Sequence, residues 1–277
     1  MRPVLLALLL PLAAAQGAPE RIVSIGGAAT ETVFALGEGS RVVGVDTSSE
    51  FPEEAKALPQ VGYQRALSAE GVASLSPDLV ILSATAGPQE ALTRLEELGI
   101  PLLRLGEGNS IEAAALRIRQ IGKTLGKQSE ADQLVLRLER EAGAIATAPW
   151  PPPRTLFLMS AAGGAPMAAG EGTAADAALQ LAGGKNVARG FEGYKQLSQE
   201  AIVQLDPEII VTTSRTIRNA GKAASELLPG LGVTSEGRAV RLIVMDDLYL
   251  LGFGPRTGGA LAELSRQLSA GRAAVCQ

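Results

Sequence analysis

The sequence predicts an α/β protein of two Rossmann-like lobes, duplicated from one another and joined by a long rigid helix, with a ligand cleft between the lobes. Short apolar runs alternate with helical patterns, which is typical of parallel strands covered on both faces. Two segments of the first half recur in the second half in the same order, which indicates a duplicated lobe rather than a short repeat. The chain has 277 residues, enough for two modest lobes.

The predicted elements follow one another as strand and helix. In the first half we expect strands at residues 22–25, 42–45, 79–82 and 102–103, and helices at 30–36 and 88–98. In the second half we expect strands at 155–159, 209–213 and 242–245, and a last helix that starts near Thr257. The N-terminal lobe then takes residues 19–109 and the C-terminal lobe takes residues 149–277.

The duplication is clearest in two segments, LSAEGVASLSPDLVIL at 67–82 and LSQEAIVQLDPEIIVT at 197–212. The matched positions pair Leu67 with Leu197, Ser68 with Ser198, Glu70 with Glu200, Leu75 with Leu205 and Pro77 with Pro207. A second pair of segments, 29–44 and 174–189, repeats in the same order, and a Gly-Tyr pair precedes each copy of the first. Both serines are expected to cap helix starts.

Residues 110–148 form the predicted connection between the lobes. Apolar residues from Ala131 to Ile145 recur at helical spacing, and Ser129 is a candidate N-cap. The Pro-rich run at 149–153 ends the pattern, because proline cannot continue a helix. A helical connection predicts less hinge motion than a flexible linker would allow.

The first 15 residues, MRPVLLALLLPLAAA, resemble a secretory signal peptide. They combine Arg2, a short apolar stretch and a small-x-small pattern at Ala13 and Ala15. The apolar run is well short of the roughly 18 residues that a membrane span needs. We therefore expect an exported, soluble, periplasmic protein.

The composition excludes several functions. The formal net charge is −4, which argues against a nucleic-acid partner. The chain has no histidine, and Cys276 is its single cysteine. Zinc sites, intrachain disulfides and histidine-based catalysis lose their usual residues. With no visible nucleophile–base pair, we expect a binding protein and not an enzyme.

Five segments resemble the haem-binding periplasmic proteins of bacterial ABC haem importers, within the helical-backbone class of carriers that also contains vitamin B12 and siderophore carriers. They are RIVSIGGAATETVFALG at 21–37, VGYQRALSAEG at 61–71, SLSPDLVIL at 74–82, MAAGEGTAADAALQLAGGKN at 167–186 and LLGFGPRTGGAL at 250–261. The second segment is the specific one, and the others mark the wider class. The resemblance implies ferric haem b as the transported ligand.

The resemblance makes Tyr63 the ligand of the haem iron and gives Arg65 a hydrogen bond to the phenolate. Phenolate is an anionic oxygen donor that suits ferric iron. From the residues alone, the alternatives stay open that Tyr63 is a half-buried loop aromatic and that Arg65 is a solvated surface charge.

Tyr194 is the repeat counterpart of Tyr63. It is expected to stack on the porphyrin, to act as a second ligand or to fill the cleft lip. Arg256, Arg215 and Arg218 are candidates for binding the haem propionates, with a surface position as the alternative for each. Some members of the resembling family hold a second haem through a histidine; because this chain has none, we expect one haem.

The resemblance also implies partners. Glu70 and Glu200 would dock the carrier on an ABC permease with its ATPase, one glutamate from each lobe, and an outer-membrane haem receptor would supply the haem. An acid at either position also stabilises a helix start, and both roles are compatible. We expect a monomer. The alternative within the class is a cobalamin or ferric-siderophore carrier, which would not need Tyr63 as a ligand.

Overall fold

The structure, a computed structural model, describes residues 18–145, 151–160, 166–220 and 234–270. The predicted signal peptide at 1–15 and Cys276 lie outside the described residues. Across the described ranges, no helix has the length and apolar character needed to span a membrane.

The N-terminal lobe is built on a parallel sheet. The strands of the lobe are β1 (Ile22–Ile25), β2 (Val42–Val45), β3 (Gly62–Tyr63), β4 (Ala66–Leu67), β5 (Leu79–Leu82) and β6 (Leu102–Arg104). Its helices are α1 (Gly27–Ala35), α2 (Ala69–Ala73) and α3 (Gln89–Glu97). The four-stranded sheet has the order β2-β1-β5-β6 and all its pairs are parallel, as predicted.

The apolar runs of the central strands are buried on both faces. All four residues of β1 and of β5 are buried. Ile22 and Ile81 pack on the cluster that contains α1, whereas Val23 and Val80 pack on the cluster that contains α3. Successive side chains of a strand point to opposite faces, so continuous apolar sequence is what a sheet between two helical layers requires.

The connecting segment contains two helices, α4 (Ile111–Leu125) and α5 (Gln128–Gly143). The prediction of one helix with Ser129 as N-cap is therefore partly wrong, because Lys127 is the N-cap of α5. Gly126, with φ of 72°, ends α4 in the left-handed conformation that favours glycine. The chain then reverses, and α5 packs against α4.

The C-terminal lobe repeats the α/β plan with additions. Its strands are β7 (Arg154–Ser160), β8 (Pro166–Ala169), β9 (Lys185–Asn186), β10 (Tyr194–Gln196), β11 (Ile209–Thr213) and β12 (Arg241–Met245). The helices described in it are α6 (Ala174–Leu181), α7 (Gln199–Gln204), α8 (Ser214–Ala220), α9 (Asp247–Leu251) and α10 (Thr257–Ser269). The strand order is β10-β8-β7-β11-β12, with β9 beside β7.

The sheet of this lobe is mixed and not purely parallel. β7 pairs in parallel with β9 and β11, but β8 is antiparallel to β7 and to β10. The segment between β7 and β8 is too short for the crossover that a parallel pair needs. The antiparallel pairs bring β10, which carries Tyr194, into the lobe.

The predicted repeat is confirmed by matching local structure. Ser68 and Ser198 cap α2 and α7 by accepting hydrogen bonds from the backbone N–H groups of Gly71 and Ala201. Each short helix is followed by a buried strand, β5 in the first copy and β11 in the second.

A pair of arginines extends the repeat. Arg21 donates hydrogen bonds to the carbonyl oxygens of Leu75 and Ser76 at 2.7 and 3.0 Å. Arg154 does the same at the second copy, where the carbonyl oxygens of Leu205 and Asp206 lie at 2.5 and 2.9 Å. Ser76 and Asp206, each before a proline, both have positive φ, at 47° and 46°. The two arginines therefore stabilise equivalent strained turns in the two lobes.

Candidate functional site

Tyr63 lies on a tight hairpin. β3 and β4 pair antiparallel, with Tyr63 opposite Ala66, so that Gln64 and Arg65 form a two-residue loop. Gly62 has φ of 102°, a conformation that favours glycine. The backbone N–H of Thr47 donates to the Gly62 carbonyl at 2.9 Å and fixes one side of the hairpin to the loop after β2.

Gln64 fixes the other side of the hairpin. Its side-chain oxygen accepts hydrogen bonds from the hydroxyls of Ser83 at 2.7 Å and Thr85 at 3.3 Å. Its backbone carbonyl accepts from the N–H of Gly87 at 2.8 Å. Ser83 directly follows β5, so the hairpin sits at the carboxyl edge of the parallel sheet. Ligands of open α/β sheets bind at this edge.

The hairpin presents two side chains to the surroundings. Tyr63 is 44% exposed although it is a large aromatic residue, and Arg65 is exposed beside it. The pairing of Tyr63 with Ala66 holds its backbone. The predicted hydrogen bond from Arg65 to a phenolate at Tyr63 stays a prediction.

Tyr194 lies on β10 of the C-terminal lobe. It pairs with Ala169 in the antiparallel β10–β8 ladder and is 40% exposed. Burial raises the pKa of its phenol, and the positive charge of Arg65 acts in the opposite direction. Arg65 therefore lies close enough to Tyr194 to act across the two lobes. That Tyr63, Arg65 and Tyr194 line one cleft stays a prediction.

A methionine shares the Tyr194 face of the sheet. In the β10–β8 ladder Gln196 lies opposite Met167, two positions along from Tyr194 and Ala169. Side chains two positions apart on a strand point to the same face. Met167 is therefore the diagonal neighbour of Tyr194 on this face of the sheet.

Glu70 and Glu200 occupy equivalent exposed positions. Each lies in the first turn of its short helix, α2 or α7, after a capping serine. Hydrogen bonds from the backbone at the helix start and from Ser198 lower the pKa of Glu200. The Ser68 hydroxyl donates to Glu70 at 3.2 Å. Both carboxylates are thus held at helix starts, as predicted, and both are exposed on the surface.

Arg256 forms an ion pair with Glu31, a residue that no sequence motif had indicated. Its Nε and Nη2 each donate to one carboxylate oxygen of Glu31 at 2.9 Å, and the Glu31 side chain is 4% exposed. The Phe51 ring covers the guanidinium with its centroid at 3.5 Å. Glu31 is the only charged residue in α1, GAATETVFA, and a lone charge in an apolar helix is a signal for a buried paired group.

Of the other two propionate candidates, Arg215 is paired with a glutamate and Arg218 is exposed. Arg215 donates to Glu50 at 2.8 Å and lies 3.7 Å from Asp247. Arg218 is exposed at the end of α8. Two of the three candidate arginines are thus bound to glutamates of the N-terminal lobe.

A cavity of about 640 Å³ lies beside the Glu31–Arg256 pair. Its wall combines N-terminal-lobe residues such as Phe34 and Phe51 with Leu134 and Arg137 of α5. Tyr63 and Tyr194 do not line it. In the part of the chain that is described, no group of three or more Asp, Glu, Cys or His side chains is placed to hold a metal ion.

Comparison with known proteins identifies the family. A family model described as periplasmic binding protein matches residues 22–228, most of the chain. The chain belongs to this family of binding proteins, which agrees with the expectation that it is a ligand carrier and not an enzyme.

Two solved structures are similar over nearly their whole length. The periplasmic haem-binding protein BhuT, in complex with two haems, shares 40% identity at a TM-score of 0.84, covering 91% of this chain and 98% of BhuT. The periplasmic haem-binding protein RhuT from Roseiflexus sp. RS-1, in its apo form, shares 40% identity at a TM-score of 0.83, covering 90% of this chain and 97% of RhuT.

Curated relatives are more distant and longer. The ABC transporter substrate-binding lipoprotein YvrC of Bacillus subtilis is 32% identical over 70% of this chain. A cobalamin-binding protein of Halobacterium salinarum is 30% identical over 76% of this chain. The aligned regions span 64% and 58% of the length of these two relatives.

Proposed function

We propose that this protein captures ferric haem b in the cleft between its lobes and delivers it to an ABC permease with its ATPase in the periplasm. The observation that carries the proposal is the exposed Tyr63 on an anchored hairpin at the carboxyl edge of the sheet. Arg65 of the same hairpin acts on the pKa of Tyr194 in the other lobe. The 40% identity to structures of haem-binding proteins supports haem as the ligand.

In the proposed complex, Tyr63 binds the iron through its phenolate oxygen. Ionising an ordinary tyrosine at pH 7 costs about 4 kcal/mol, because its pKa is about 10. Coordination to Fe(III) offsets that cost, since the metal binds the anionic form. Arg65 donates a hydrogen bond to the phenolate oxygen in this complex. Tyr194 closes the opposite side of the porphyrin, and we keep the expectation of one haem per chain.

Delivery is proposed to use Glu70 and Glu200. Each lobe presents one of these carboxylates at an equivalent helix start, and both are exposed. A matched pair of charges fixes the orientation of a partner and speeds its encounter more than it adds affinity. The partner is an ABC permease with basic side chains opposite each glutamate. An outer-membrane receptor supplies the haem, and the carrier acts as a monomer after cleavage of residues 1–15.

The alternative ligand is cobalamin or a ferric siderophore, bound on the same scaffold. The relative from Halobacterium salinarum named for cobalamin binding favours the first of these. Competition separates the ligands, because haemin and cyanocobalamin would share one cleft. A protein that retains cyanocobalamin and releases haemin would favour the alternative.

The proposal is tested by an absorbance titration with ferric haemin. We expect the wild type to shift the Soret band and to show a tyrosinate charge-transfer band, and Tyr63→Ala to lose that band. Tyr249→Phe is the matched control, because Tyr249 is the remaining tyrosine of the chain and lies on α9. A Tyr63→Ala spectrum identical to that of the wild type would contradict the ligand assignment.

A further inference from the structure

Two arginines of the C-terminal lobe each bind a glutamate of the N-terminal lobe. Arg256 donates a bidentate pair of hydrogen bonds to the Glu31 carboxylate, both at 2.9 Å. Arg215 donates to Glu50 at 2.8 Å. Two parallel hydrogen bonds between a guanidinium and a carboxylate fix the angle as well as the distance between the groups. The contact therefore constrains the orientation of one lobe relative to the other.

The Glu31–Arg256 pair is buried on the side of its carboxylate. The Glu31 side chain is 4% exposed and that of Arg256 is 30% exposed. The Phe51 ring lies 3.5 Å from the guanidinium, and the Tyr249 ring lies 5.1 Å from it. Phe51 belongs to the N-terminal lobe and Tyr249 to the C-terminal lobe, so the guanidinium contacts aromatic rings from both lobes. Such stacking adds to the ionic contact.

The backbones around this pair approach closely. A Cβ built on Gly27, at the start of α1, would lie 2.7 Å from the Leu248 side chain of α9. A Cβ on Gly254 would lie 3.3 Å from the Cβ of Ala28. Arg117 of α4 donates to the carbonyl oxygen of Phe253 at 3.0 Å. Beside Arg256, the two lobes are therefore held by close packing in addition to the ion pair.

We propose that Arg256 and Glu31 are positioning residues that hold the two lobes, and with them Tyr63 and Tyr194, at the spacing that haem requires. This inference rests on the proposed haem-binding function. It replaces the expectation that Arg256 binds a haem propionate. Its Nε and Nη2 are committed to Glu31, and moving them to a propionate would leave the buried Glu31 carboxylate without its cation, which is unfavourable.

The two roles of Arg256 are separated by removing the charge of the ligand. Ferric haemin carries two propionates, and its dimethyl ester carries none. We expect Glu31→Gln and Arg256→Met to lower the affinity for haemin and for its dimethyl ester by the same factor. The factor is about ten if the lobe orientation that binds haem falls to a tenth of the population. Selective weakening of haemin by Arg256→Met, with no effect of Glu31→Gln, would overturn the proposal.

A distance measurement tests the positioning role without haem. Leu98 and Val203 are 51% and 50% exposed and lie on different lobes, so Leu98→Cys and Val203→Cys take spin labels in a Cys276→Ser background. We expect Glu31→Gln to broaden the distribution of distances between the labels. Arg215→Gln, which removes the more exposed pair, is the milder second variant and is expected to broaden it less.

Arg137→Gln is the matched control for the distance measurement. Arg137 lines the same cavity, but its partner Glu141 lies on the same helix. Broadening in Glu31→Gln and not in Arg137→Gln supports the proposal, and unchanged distances in Glu31→Gln overturn it. A wild type that fails to bind haemin would refute the proposed function instead, and the distance measurement would still decide whether Glu31 fixes the lobes.

Discussion

Replacing Asp46 by asparagine tests how the loop after β2 is held. Asp46 is completely buried. One of its oxygens accepts hydrogen bonds from the Gly26 N–H at 2.8 Å and the Ser49 hydroxyl at 2.9 Å. The other oxygen accepts from the Ser48 N–H at 2.9 Å. An asparagine amide group would lose one of these bonds and point a donor at a donor.

We expect Asp46→Asn to lower the free energy of unfolding by about 1–3 kcal/mol, the cost of leaving one buried donor unpaired. In urea the midpoint would fall by about 0.3–1 M for a slope of about 3 kcal/mol/M. Asp132→Asn is the matched control, because the 60% exposed Asp132 pairs with Arg119 at the surface and should cost below about 1 kcal/mol. Equal midpoint shifts in the two variants would refute the reasoning.

Two further predictions concern the cleft. Gly62→Ala places a side chain at φ of 102°, with its Cβ 3.2 Å from the Ala66 carbonyl. We therefore expect thermal unfolding to show a free energy of unfolding lower by about 1–3 kcal/mol, and haemin to bind more weakly. Wild-type values for both would contradict this prediction. Burial raises the pKa of Tyr194 while Arg65 lowers it, so ultraviolet titration should show ionisation above the ordinary value, and higher still in Arg65→Met. Because the unfolded phenol releases its proton first, the contribution of Tyr194 to the free energy of unfolding is complete below the unfolded pKa of about 10 and is lost as the pH rises through the folded pKa. A Tyr194 that ionises below its ordinary pKa would contradict this.

The sequence predicted those parts of the fold that depend on local pattern. The predicted strand bounds 22–25, 42–45, 79–82 and 209–213 agree with the structure, because short runs made mostly of apolar or β-branched residues between turns have few other arrangements. The repeat also identified the capped helix starts at Ser68 and Ser198. Capping depends on residues only three positions apart.

Features that depend on distant residues were not predictable in the same way. Glu31 and Arg256 are 225 positions apart, and no spacing rule joins them. From the sequence, Arg256 was a candidate for binding a haem propionate, with a surface position as the alternative, whereas the fold pairs it with the buried Glu31. The antiparallel strands β8 and β10 are short segments whose direction is set by their neighbours.

The central claim is that the Tyr63 phenolate binds the iron of ferric haem between the lobes. A crystal structure of the protein with haemin tests it most directly. We predict that the porphyrin lies in the cleft between Tyr63 and Tyr194, with the Tyr63 oxygen bonded to the iron. Haem bound elsewhere, for example in the cavity beside Arg256, or a Tyr63 hydroxyl directed away from the iron, would contradict the account.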